Sequence, residues 1–69
     1  MITNEVLLEL ENYASREGTE LGELWFKLVD LWEGYRSYMD DKFLVSLEET
    51  ILYSLEEARD MEKGGYFNE

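Results

Sequence analysis

The sequence predicts an all-α fold, either a small antiparallel three-helix bundle or a helical hairpin with an added N-terminal helix. Two observations carry the prediction. Apolar residues recur at three- and four-residue spacings along the chain, and neither a proline nor a run of strand-like alternation interrupts them. A hydrophobic fraction of 45%, with 14% aromatic residues, argues against disorder. The 69 residues form a single helical domain, 1–69. A chain of this size buries only about 60% of its extended surface on folding. Such a core rarely supplies more than roughly 3–5 kcal/mol. The chain has no cysteine for disulfides and no cysteine or histidine for structural zinc. Stability must therefore come from close helix packing or from a partner.

The first helix is expected over about residues 3–17. Thr3 can cap it, Ile2 and Leu7 have the spacing of a hydrophobic staple, and Gly18 stands where a left-handed residue ends helices. Val6, Leu7, Leu10, Tyr13 and Ala14 share one apolar face, and Leu8 points away from it. The second helix is expected over about 20–39, with Glu20 and Glu23 favourably placed in its first turn. Leu21, Leu24, Leu28, Leu31, Tyr35 and Tyr38 follow a seven-residue rhythm, a coiled-coil-like seam that is read as the core face. Trp25 and Trp32 lie beside the seam and are read as core, while Phe26 and Val29 lie at its edge near Gly22.

Two signals compete for the end of this helix. Gly34 and the Ser37-x-x-Asp40 capping box place it early, whereas the phase of Tyr35, Tyr38 and Met39 carries the seam onward. A glycine inside a helix costs only about 1 kcal/mol, so phase decides and the break is placed at Asp40-Asp41. The third helix is expected over about 41–63, with Leu44, Leu47, Ile51, Leu55 and Ala58 facing the core and Gly64-Gly65 ending it. In the tail, 64–69, Tyr66 and Phe67 either fold back over the core or meet a partner.

Charge then narrows the function. Seventeen acidic and six basic residues give a net charge of −11, and the basic ones lie singly among acids. Direct nucleic-acid binding needs a basic stripe that releases counterions from phosphate, so neither that activity nor binding to an anionic membrane is expected. Electrostatic steering would favour a basic surface on another protein. The first residues lack a basic region and a long apolar run, so no signal peptide is read and a cytoplasmic location is expected. Without histidine, cysteine, a nucleophile elbow, a P-loop or an EF-hand loop, no catalytic, cofactor or metal site is expected.

Candidate binding residues come from the stretch Ser46 to Asp60, in which Ser-Leu-Glu-Glu occurs twice. Eight residues turn a helix by about 80°, so both leucines still reach one broad core face and both glutamate pairs stay outside. Burial alone explains the repeat, and a solvated face is one reading of its acids. The alternative lies in their alignment. Glu49, Glu56 and Asp60 follow nearly one line spanning about 16 Å, with Asp41 and Glu48 alongside and only Arg59 and Lys63 as compensation. Such a ridge resembles a run of phosphates that could occupy a basic groove. Val45 and Leu52 project into this acidic side, and with Tyr66 and Phe67 they supply apolar anchors. In size, acidity and helical pattern the chain is similar in kind to small inhibitors and host-modifying proteins that bacteriophages carry, some of which mimic DNA. That likeness is compositional and implies a helical, non-catalytic binder acting in the cytoplasm of a host cell. Two functions are expected from these features: an inhibitor or adaptor docking on another protein, or a structural homo-oligomer, at its simplest a homodimer, that buries the surplus apolar residues.

Overall fold

The computed structural model describes residues 2–38 and 40–67. Three helices follow in order, α1 (Asn4–Glu17), α2 (Glu20–Tyr35) and α3 (Asp41–Lys63), and each packs on both others. The expected all-α bundle is observed. Two residues separate α1 from α2, which forces an antiparallel pair, and α3 returns alongside α1 in an up-down-up arrangement. The bundle is elongated, 41 × 18 × 17 Å.

Local chemistry sets the helix ends. Thr3 accepts a hydrogen bond from the Val6 N–H at 3.2 Å, and Ile2 and Leu7 are both buried, as a staple requires. Gly18 closes α1 at φ +66, a backbone conformation that glycine adopts without steric cost. Asp40 accepts from the Phe43 N–H at 2.9 Å and starts α3 where the sequence places it.

The core contains Leu7, Leu10, Tyr13 and Ala14 from α1 and Leu47, Ile51, Leu55 and Ala58 from α3, close to expectation, with Ser54 also buried. The second helix departs from expectation. It buries Gly22, Trp25, Val29 and Trp32, while Leu21, Leu24, Leu31 and Tyr35 are exposed and Leu28 is half-buried. The helix is therefore rotated by roughly 100° from the orientation that its leucine rhythm predicts.

Two physical terms favour this rotation. Tryptophan carries the largest apolar area in the helix, so burying two of them outweighs burying leucines at the same depth. Gly22 also lets α2 approach the end of α1 closely, since a Cβ there would lie 2.5 Å from the Ala14 carbonyl oxygen. The same rotation corrects the expected helix end. Because Tyr35 and Tyr38 continue an outward face, no burial extends α2, and it stops at Tyr35 rather than at residue 39, which lies outside the described residues. The Tyr38 N–H then closes a turn on the Tyr35 carbonyl at 2.8 Å.

Candidate functional site

On the acidic side of α3, Asp41, Glu49, Glu56 and Asp60 are exposed, and Val45 and Leu52 stand among them, 52% and 40% accessible. Asp41, Lys42, Val45, Ser46 and Glu49 line a shallow depression at the start of the helix. Arg59, expected to offset this ridge, turns toward α1. Its guanidinium donates to both carboxylate oxygens of Glu9 at 2.7 Å, which lowers the Glu9 pKa chiefly through those hydrogen bonds. Among the described residues, no ion pair involves Glu49, Glu56 or Asp60. Glu48 is set apart from them. It is half-buried and accepts the Trp32 indole N–H at 3.0 Å, so its carboxylate is committed to the α2–α3 contact.

The tail folds back. Gly65, at φ +87, reverses the chain beyond α3, and the Tyr66 N–H returns to the Met61 carbonyl at 2.9 Å. Phe67 then packs against the core, its ring centroid 5.4 Å from that of Tyr13 and beneath the Arg16 guanidinium at 4.9 Å. Beside them Glu62 accepts the Tyr13 phenol at 2.6 Å and pairs with Arg16 at 2.9 Å. Those bonds hold the Glu62 carboxyl below its usual range and push the Tyr13 phenol up. Tyr66 stays 57% exposed, with its hydroxyl donating to Glu17 at 3.1 Å. The expected binding residues thus divide. Asp41, Val45, Glu49, Leu52, Glu56 and Asp60 share one outer side of α3, whereas Tyr66 and Phe67 cap the far end of the bundle and Glu48 braces Trp32.

A second surface was missed by sequence reasoning because its α2 residues were assigned to the core and Phe43 and Tyr53 were given no role. Leu21, Leu24, Leu31 and Tyr35 of α2 are 38–53% exposed, and Phe43 and Tyr53 of α3 reach 60% and 65%. Two hollows run between these helices, one bordered by Leu28, Phe43 and Thr50, the other by Leu24, Tyr53 and Met61. Among the described residues Glu57 is the one charged residue lining either hollow, and it pushes up the pKa of the Tyr53 phenol beside it. A signal for the true core face was present in the sequence. Gly22, Trp25, Val29 and Trp32 keep the same helical spacing as the leucines, and a glycine among tryptophans marks a close helix crossing.

No group of acidic side chains among the described residues is arranged to hold a metal ion, and no helix is long and apolar enough to cross a membrane. A scan against protein-family models and searches of curated proteins and of solved structures return no match to this chain.

Proposed function

We propose that this chain is a small acidic helical protein-binding module, a non-catalytic cytoplasmic inhibitor or adaptor that docks on a basic surface of another protein, including surfaces that otherwise hold nucleic acid. The observation that carries the reading is the engagement of Arg59 by Glu9, which leaves Glu49, Glu56 and Asp60 in line on α3 without a basic partner among the described residues. Val45 and Leu52 support it by placing exposed apolar contact area inside the charged field. Charge on this side steers the encounter, and the two aliphatic residues hold the docked complex. Tyr66 offers a further contact at the bundle end, while Phe67 acts by fixing the tail.

The test is to immobilise the chain, retain basic proteins at low salt, elute them with a salt gradient and measure their association with two variants. Reversing Glu49, Glu56 and Asp60 to lysine is expected to slow association at least about ten-fold while preserving the helical circular dichroism signal. Replacing Val45 and Leu52 by serine is expected to hasten dissociation instead. An association rate untouched by the charge reversal contradicts the proposed function.

A further inference from the structure

The groove between α2 and α3 borders the acidic side of α3 at Ser46 but is lined by different residues, and it calls for an occupant of its own. Leu21, Leu24, Leu28, Leu31 and Tyr35 repeat at alternating three- and four-residue steps, the period with which one helix meshes against another. In this bundle Leu28 at the centre of the stripe packs partly on the core, but Leu21, Leu24, Leu31 and Tyr35 stay exposed because α2 directs Trp25, Val29 and Trp32 inward. The exposed parts of Leu21, Leu24, Leu31, Tyr35, Phe43 and Tyr53 amount to roughly 600 Å², at the upper limit for a monomer's largest apolar patch and near the share that one partner contributes to a stable interface.

We propose that a second copy of this chain covers this groove, with the α2 stripes of two protomers packed against each other about a two-fold axis near Leu28. Three features of the surface select this occupant. The seam needs a helix with an unpartnered apolar repeat of the same period, and α2 is such a helix; a two-fold axis sets the surface against itself. Two chains that each carry −11 repel one another least where they meet on a face with little charge, and among the described residues only Glu57 is charged along the two hollows. An axis near Leu28 sets Leu31 and Tyr35 of the other protomer opposite Trp25 and Leu21, beside the hollow of about 250 Å³ that Leu21, Leu24 and Tyr53 border. A basic partner would find almost no complementary charge here. This inference does not rest on the function proposed for the acidic side of α3.

Sedimentation equilibrium of the whole chain tests it. The weight-average mass is expected to rise with concentration from 8.2 kDa toward twice that value, and Leu24→Asp combined with Leu31→Asp is expected to return it to 8.2 kDa with helicity retained. A wild-type chain that stays monomeric overturns the proposal and leaves the groove for a different protein. A double variant that folds and still dimerises overturns it as well. If the double variant loses its helical signal, nitroxide labels decide, since the native chain has no cysteine to compete. Labels at Lys27→Cys, beside the middle of the stripe, are expected to show strong dipolar coupling between copies, and labels at Glu49→Cys only weak coupling. Absence of coupling at Lys27→Cys, or stronger coupling at Glu49→Cys, overturns the proposal.

Discussion

Gly22 has no room for a methyl group. A Cβ at that position would meet the Ala14 carbonyl oxygen at 2.5 Å and the Glu17 side chain at 3.2 Å, so Gly22→Ala must push α2 away from α1. The expected cost is about 1–3 kcal/mol in urea unfolding. Gly34 meets nothing within 4 Å, and Gly34→Ala is expected to stabilise by roughly 0.4–1 kcal/mol by restricting the unfolded chain. Opposite signs for the two glycines follow from the helix crossing alone. A second residue-scale expectation concerns Glu62, whose carboxyl lies below its ordinary 4.5 chiefly because Tyr13 and Arg16 donate to it. A lowered carboxyl pKa contributes stability that is present above 4.5 and lost as pH falls through the lowered value. Tyr13, raised above 10.0, contributes below that pH and loses its contribution as pH rises through its folded value. Tyr13→Phe is therefore expected to move the Glu62 carboxyl back toward 4.5, read by carbon-detected NMR titration.

At the scale of the element, α2 is the informative helix because it carries two apolar faces, and periodicity alone cannot rank them. Helix α1 was legible in detail: Thr3, the Ile2–Leu7 staple and Gly18 mark its ends, and its one apolar face is the buried one. Helix α3 was legible in its span and in its inward face, Leu47, Ile51, Leu55 and Ala58, although the capping role of the Asp40 side chain was not read. In α2 the leucine stripe outnumbers the tryptophan stripe, yet side-chain area and the glycine crossing decide the rotation, and both depend on what α1 presents. The candidate site was legible only where it depends on exposure of α3. The engagement of Arg59 by Glu9, and the choice of Phe67 to fold back onto Tyr13 rather than stay free, were not, because each depends on a group fifty or more positions away in the chain. A matched pair of substitutions tests the rotation. Trp25→Ala is expected to cost about 3–5 kcal/mol, enough to unfold a core this small. Leu24→Ala is expected to cost under about 1 kcal/mol at concentrations where the chain is monomeric, since Leu24 is 52% exposed. Chemical denaturation of the two variants reads the difference.

At the scale of the molecule, acids unpaired among the described residues gather on one side of α3, with Val45 and Leu52 among them, and the larger apolar surface lies in the groove between α2 and α3. Acids with no ion-pair partner among the described residues line one side of α3, and the groove between α2 and α3 is almost free of charge. The two surfaces should respond to salt in opposite directions. Screening weakens attraction between the acidic side and a basic partner, but it also weakens repulsion between two copies that each carry −11. A dimer closed through the α2 stripe leaves the outer side of α3 to meet that partner, so the two kinds of binding are expected to coexist. The most direct measurement is sedimentation equilibrium of the wild-type chain over a series of salt concentrations. This arrangement of surfaces predicts a reversible dimer whose dissociation constant falls as salt rises. A chain that stays monomeric throughout, or a dimer that loosens as salt rises, would contradict it.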